Sequence, residues 1–308
     1  MVGHEYQWRT RGETMRLGQF ESAASTAPWA GVESEGDVVR LDEAADAAGV
    51  SLPADLRRIL SEWEWSEKVD LALAHALETG TGLYDRAKLT QREPITDPQK
   101  VICVGLNYAD HADEGGFDAP DEPVLFSKFP QSIVGPDEPV EWDPELTSEV
   151  DYEAELVAVI GERARNVDES EALEYVAGYT VGNDVSARDL QMADEQWVRG
   201  KSLDTFAPLG PDLVTPDEID DIDALDIWAE VNGERLQDAN TRHLIFDIAD
   251  LVAFCSRAFT LEPGDLIYTG TPDGVGYFRE PQVLLEDGDT MTIGIEGIGE
   301  LTNTCRHT

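Results

Sequence analysis

Chemistry in this chain begins with paired carboxylates. Glu153 and Glu155 stand two residues apart in Asp151-Tyr152-Glu153-Ala154-Glu155-Leu156-Val157-Ala158-Val159-Ile160-Gly161, a run whose later half is uniformly apolar. Such a run reads as a strand buried on both faces, and the two-residue period sends both glutamates to one side. Carboxylates side by side at the entrance to a buried strand repel each other unless a cation lies between them. A solvated pair on an edge strand is the alternative, in a chain with 64 Asp and Glu. A third carboxylate, Asp184, follows the apolar stretch Gly178-Tyr179-Thr180-Val181-Gly182-Asn183. Lying at a strand end before Ser186-Ala187-Arg188-Asp189, it could complete a ligand set or serve as an N-cap or turn residue.

Two further segments carry reactive groups. In Gly105-Leu106-Asn107-Tyr108-Ala109-Asp110-His111-Ala112-Asp113-Glu114-Gly115-Gly116, a short helix after the strand Val101 to Val104 would put His111 and Glu114 on one face. A carboxylate beside an imidazole raises its pKa and orients it, as a general base requires; a salt-bridged surface histidine is the plainer reading. The flanking glycines suit a mobile lid. Tyr268-Thr269-Gly270-Thr271-Pro272-Asp273-Gly274-Val275-Gly276 is a strand running into a Gly-rich loop. It lacks the spacing of a P-loop or a dinucleotide fingerprint. Its backbone N–H groups and Thr271 hydroxyl could meet a substrate carboxylate, or it could be a tight turn.

The elements that must position these groups differ between the two parts of the chain. Residues 1–95 mix strand-like and helical runs. Asp37-Val38-Val39-Arg40-Leu41 reads as a strand, and Pro53 opens a helix through Leu56, Ile59, Leu60 and Trp63. Another helix carries Val69, Leu71, Leu73 and Leu77 and stops at Gly80-Thr81-Gly82. The stretch Arg92 to Pro98 has the look of a linker. Residues 96–308 hold many short β runs, interrupted by helical stretches at Glu169 to Val176 and Asp247 to Phe259. Regular crossover helices are missing, which argues against a doubly wound sheet. The expected fold class is mixed α+β: a mostly antiparallel β-roll or barrel with few helices, preceded by a small N-terminal α/β region.

Read in order, these motifs resemble the fumarylacetoacetate hydrolase family over about Val101 to Asn303. The resemblance is carried by Gly-Leu-Asn-Tyr-x-x-His-x-x-Glu, Phe126-Ser127-Lys128, Ser132-Ile133-Val134-Gly135-Pro136, Asp151-Tyr152-Glu153-x-Glu155-Leu156, Asn183-Asp184-Val185-Ser186-Ala187-Arg188-Asp189-x-Gln191, Gly200-Lys201-Ser202 and Thr269-Gly270-Thr271-Pro272-x-Gly274-Val275-Gly276. It implies a homodimeric β-roll enzyme holding one Mg²⁺ or Mn²⁺ on Glu153, Glu155 and Asp184, hard oxygen donors suited to a hard cation. It also implies that His111 and Glu114 form a water-activating dyad and that Lys201 helps stabilise enolate charge. Arg188, Gln191, Thr271 and Lys128 would hold the oxygens of a small 2-oxo acid. The leading expectation is hydrolytic C–C cleavage of a 2,4-dioxo acid (an acylpyruvate, fumarylpyruvate or diketo-deoxy sugar acid) to pyruvate and a carboxylic acid. The alternatives on the same site are an oxaloacetate decarboxylase or keto–enol tautomerase, and a 2-hydroxyhepta-2,4-diene-1,7-dioate-type isomerase. Leu106 stands where acylpyruvate-hydrolysing members often carry Arg. The segments Phe126 to Phe129 and Gln196 to Lys201 are similar both to relatives linked to oxaloacetate chemistry and to relatives that cleave diketo-deoxy sugar acids.

Composition bounds the rest. The 308 residues are 41% apolar, ample for a core, and 22 Lys and Arg against 64 Asp and Glu leave a net charge of −42. Acids spread along the chain, as in Asp217 to Asp223, suggest adaptation to a salt-rich cytoplasm and a halophilic source. No basic stripe exists to release counterions, so nucleic acid is not an expected partner. Cys103, Cys255 and Cys305 show no ligand spacing and fit a reducing compartment. With no apolar run of membrane-spanning length and no apolar leader, the expectation is a cytoplasmic protein without a membrane partner. Met15 could be a second start, because 1–14 is polar and unpatterned.

Overall fold

The computed structural model describes residues 15–308; the proposed second start concerns 1–14, outside the described residues. A twelve-stranded sheet forms the spine. Its order is Leu83–Asp85, Asp37–Arg40, Ser25–Ser34, Arg16–Ser22, Ala207–Val214, Val176–Asn183, Ala154–Ile160, Leu266–Tyr268, Val101–Gly105 and Val124–Lys128, with Leu89–Arg92 and Ile133–Val134 paired off this path. Strands from the N-terminal region therefore continue the sheet: Arg16 pairs with Val214 and Leu17 with Leu213. A five-stranded sheet, Glu234–Asn240, Asp226–Val231, Thr290–Ile295, Gly299–His307 and Val140–Trp142, packs against the C-terminal part. Pairing is mostly antiparallel; Leu266–Tyr268 on Val101–Gly105 is one of the parallel exceptions. The fold is mixed α+β, rich in strands and poor in helices, as expected.

The continuous apolar run at Ala154–Ile160 has a direct physical cause. Leu156, Ala158 and Ile160 point into one core, shared with Ile227, Ile293 and the helix Ile248–Ala258. Val157 and Val159 point the other way, into a core shared with Leu17, Leu41, Leu213 and Tyr268. Every residue of this strand is buried, so alternation is lost because both faces are dry. Burying such side chains stabilises the fold by about 1.5–3 kcal/mol each, and the packing on both faces fixes the strand that carries the carboxylates at its start.

Several local expectations need correction. Pro53 does not open a helix; the helix is Leu56–Leu60, capped by Asp55, whose carboxylate accepts the Arg58 N–H at 3.0 Å. Trp63 lies past its end and is 82% exposed. The helix Trp65–Thr79 ends at Gly80, in the left-handed conformation (φ 75°) that glycine adopts without strain. Its buried stripe is Val69, Ala72 and Ala76, while Leu71 and Leu77 face solvent. Small residues win this face because it packs on the equally alanine-rich helix Leu41–Ala48. Glu169–Tyr175 is a 3₁₀ segment. No helix among the described residues is long and apolar enough to cross a membrane.

Candidate active site

Antiparallel pairing builds the carboxylate cluster. Ala154 pairs with Asn183 and Glu155 with Gly182, which brings the start of one strand beside the end of the next. The corner is locked by the Asp184 N–H donating to the Glu153 carbonyl (3.0 Å) and the Glu153 N–H donating to Asn183 Oδ1 (2.9 Å). Glu153, Glu155 and Asp184 are buried, and one oxygen of each lies within 4.8 Å of those of the others. Asp184 is thus a member of the cluster, not an N-cap: the helix that follows, Arg188–Ala193, begins after Ala187.

Three cations hold this charge in place. Lys201 Nζ donates to Glu153 Oε2 and Asp184 Oδ2, each at 2.8 Å. Arg188 contacts Glu153 Oε1 at 2.6 Å and Asp151 Oδ2 at 2.7 Å. Lys128 donates to Asp184 Oδ1 and to the Val185 carbonyl (2.9 Å). The consequences differ along the cluster. Burial works to raise the Glu153 carboxyl, but Lys201, Arg188 and His111 outweigh it and hold it well below the usual range. Glu155 is pushed far above that range by burial, by Asp184 and by Glu153; the Gly270 N–H, donating to its Oε2 at 2.8 Å, only partly offsets this. An under-compensated buried carboxyl beside two charged ones is what a missing cation would leave. The donor set, all carboxylate oxygen, suits a hard divalent ion.

A cavity of about 230 Å³ opens over the cluster. Its floor is Glu153, Glu155, Arg188 and Lys201, and its walls include His111, Gln191 and Thr271. Apolar groups close the remainder: Leu106, Phe117, Phe126, Trp197 and Phe278 among them. His111 sits on the helix Ala109–Gly115, with Nδ1 3.4 Å from Glu114 Oε2. That contact is long for a hydrogen bond, as catalytic contacts in ligand-free sites often are. Glu114 in turn accepts the Gly274 N–H at 3.1 Å, tying the helix to the Gly-rich loop. Gln191 accepts from Arg188 Nη1 at 3.1 Å. Thr271 Oγ1 accepts from Gln237 Nε2 at 2.8 Å.

The sequence-chosen residues therefore come together, with one correction. Lys128, expected among the groups that hold substrate, does not line the cavity; it is fully buried on the far side of Asp184. Its side chain points from the Val124–Lys128 strand into the interior, where it meets Asp184 first. Four contributors escaped sequence reasoning. Asp151 anchors Arg188 and accepts the Gly276 and Tyr277 N–H groups at 2.8 and 3.0 Å. Its place in the run with Glu153 was a signal. Gln237 braces both Thr271 and the Ala154 N–H (2.9 Å) from a distant strand, with no motif to mark it. Phe126 and Trp197 form an aromatic wall, visible only in three dimensions.

Comparison with known proteins agrees with this geometry. The family model described as fumarylacetoacetate (FAA) hydrolase C-terminal matches residues 100–306. The oxaloacetate tautomerase fahd2, mitochondrial, of Xenopus laevis is 43% identical over 294 residues, covering 94% of this chain and 90% of that protein. Among solved structures, fumarylacetoacetate hydrolase from psychrophilic Exiguobacterium antarcticum superposes with a TM-score of 0.77 at 36% identity, covering 96% of this chain and all (100%) of the other. The 2-hydroxyhepta-2,4-diene-1,7-dioate isomerase of Mycobacterium marinum gives 0.73 at 36% identity, over 96% and 99% of the two chains. The mitochondrial name of the Xenopus protein contradicts the expectation of a cytoplasmic one. Three buried, unpaired cysteines point to a reducing surrounding and do not say which compartment supplies it. The family model spans most of the chain and its relatives nearly all of it: the chain belongs to the fumarylacetoacetate hydrolase family.

Proposed function

We propose that this protein is a divalent-metal-dependent oxaloacetate tautomerase. The observation that carries the reading is the cavity itself: about 230 Å³, with a carboxylate floor and aromatic walls. Its charged floor and apolar walls suit a small 2-oxo acid. Near-full-length similarity to a named oxaloacetate tautomerase points the same way. On the second ground the hydrolytic reading of the sequence gives way to its alternative.

In this account Glu153, Glu155 and Asp184 hold one Mg²⁺ or Mn²⁺. When bound, the ion supplies fixed positive charge for the oxyanion that develops at the substrate C2 oxygen. The remaining work falls to the chain. With Nδ1 turned to Glu114, His111 presents Nε2 to the cavity and moves a proton at C3. Enol to keto conversion places the His111 proton on C3 while the C2 hydroxyl gives its proton up to solvent, from which His111 is recharged. Lys201, within reach of the floor carboxylates, balances charge on the C2 oxygen side. Arg188 and Gln191 orient the substrate carboxylates, with the Thr271 hydroxyl on the opposite wall. Lys128 keeps Asp184 in position from behind.

Decarboxylation of oxaloacetate is the second reading, since an enolate at C2–C3 is common to both reactions. Enzyme supplied with Mg²⁺ or Mn²⁺, in high salt, separates these possibilities when its products are identified. Accelerated enol–keto conversion without CO₂ is the expected outcome. Metal-dependent release of CO₂ and pyruvate would shift the assignment to decarboxylase, and pyruvate plus a second acid from an acylpyruvate would restore the hydrolase. The acidity also fits a chain made for a salty medium, and the family resemblance fits a homodimer; sedimentation across a salt series checks both.

A further inference from the structure

We infer that Trp197 is a specificity-determining residue that sets how long a 2-oxo acid the cavity admits, through a seat created by Gly105. This deepens the proposed function and rests on it for the identity of the natural substrate.

The cavity is layered outward from its charged floor. Lys201 Nζ, bridging Glu153 and Asp184 at 2.8 Å each, lies 5.2 Å from the centre of the Phe126 ring. The Phe126 ring meets Trp197 edge-on, with centroids 5.4 Å apart and planes at 72°. Cation, phenyl and indole thus follow one another away from the reacting end, each in a favourable geometry. Trp197 is the last of the three and lines the same cavity as Leu106, Phe117 and Phe278.

What holds the indole is the end of the Val101–Gly105 strand. A Cβ on Gly105 would stand 2.5 Å from one indole carbon of Trp197 and 3.0 Å from a second. No side chain fits there, so the ring lies directly on the backbone. The turn that carries Trp197 is clamped as well. Arg199 forms two hydrogen bonds with Asp194, each 2.7 Å, across the segment between them. The Lys201 N–H donates to the Trp197 carbonyl at 3.1 Å. Trp197 is therefore coupled to the same short helix, Val198–Lys201, that delivers the site lysine. An indole held at this point limits the room for the substrate's distal group. Apolar pockets discriminate by roughly 10–200-fold per methylene gained or lost.

The test reads binding, so that it does not depend on which reaction the enzyme performs. Calorimetry in the presence of Mn²⁺ measures the affinity of straight-chain 2-oxo acids from pyruvate to 2-oxoheptanoate for wild type, Trp197→Ala, Trp197→Phe and Gly105→Ala. Wild type is expected to lose affinity steeply beyond the shortest acids. Trp197→Ala should recover tenfold or more for the longer acids while changing pyruvate little, and Trp197→Phe should fall between. Gly105→Ala, pushing the indole inward, should tighten the length limit. Uniform loss across the series in all three variants would overturn the inference, as would unchanged exclusion of long acids in Trp197→Ala. Turnover of oxaloacetate by wild type is scored separately. Its absence would defeat the tautomerase reading and leave the length profile to judge Trp197 alone.

Discussion

Four acidic groups, Asp151, Glu153, Glu155 and Asp184, share a buried space with Lys128, Arg188 and Lys201. Counted as fully ionised, these groups carry a surplus of one negative charge, and Glu155, the carboxylate without a lysine or arginine contact among these pairs, is the one that burial and its neighbours push up. That imbalance favours the proposed cation site over a self-contained salt-bridge network, which would be weak evidence of function. In the proposed function His111 moves the proton, and its replacement tests that role. His111→Ala should lower turnover by about 10²–10⁴-fold with Mn²⁺ affinity little changed; steady-state kinetics and a metal titration read the two effects independently. The ligand and dyad residues were legible through the family motifs they lie in. Residue by residue, Glu153 and Glu155 could have been a solvated pair, Asp184 an N-cap and His111 a surface ion pair, because the strand pairing that joins the carboxylates shows in neither segment alone. Lys128 was legible as a site residue but not as one facing away from substrate. Whether a side chain at a strand end points to the cavity or to the interior depends on what packs behind it. Gln237 was not legible, since its partners Ala154 and Thr271 are distant in the chain.

Elements matter here through their junctions. The Gly-rich loop after Leu266–Tyr268 is held by Asp151, Gln237 and Glu114, each accepting from or donating to a different point along it. Gly276 sits where it has no alternative: a Cβ would lie 1.9 Å from the Val283 carbonyl oxygen and 2.7 Å from Asp151 Oδ1. Gly276→Ala should therefore destabilise the protein by about 1–3 kcal/mol, read as a shift in urea midpoint. It should also weaken Mn²⁺ binding, because displacement of Asp151 unseats Arg188, which it shares with Glu153. A shift in stability with unchanged metal affinity would separate the loop from the site. Strand positions were readable from apolar runs and turn residues, and the helix Trp65–Thr79 from its glycine stop. Its inward face was not, because leucine is the more apolar residue but alanine allows the closer approach to Leu41–Ala48.

On the scale of the whole molecule, charge and burial set the conditions in which the enzyme folds. With a net charge of −42, self-repulsion should make the melting temperature climb with KCl well beyond the first few hundred millimolar, where screening of ordinary proteins saturates; a flat profile would remove the case for salt adaptation. Two buried acids lie where the N-terminal strands join the rest of the sheet. Burial pushes Glu93 up to about 7 and Asp212 up to about 6. Both carboxyls prefer the proton in the folded state, so their contribution is full below the unfolded pKa and is lost as pH rises through 6 to 7. Stability should accordingly fall between pH 5 and pH 8, and Glu93→Gln should flatten that decline, as followed by urea midpoints at the two pH values. The joining of the N-terminal strands to the central sheet through Arg16 and Leu17 was not legible in the sequence. Those partners are about 200 residues away, and a Pro-rich stretch intervenes. Cellular location was misjudged for a related reason, since an address is read by import machinery and leaves little mark on a folded core.

The central claim is that the cavity catalyses proton movement between C3 and the C2 oxygen of oxaloacetate. The most direct measurement follows decay of the oxaloacetate enol by its ultraviolet absorbance, with Mn²⁺, with chelator, and with the His111→Ala variant. The account predicts rapid, metal-dependent decay that yields the keto form without pyruvate and that collapses in the chelated and variant samples. Decay no faster than in enzyme-free buffer, from metal-loaded and folded protein, would contradict it.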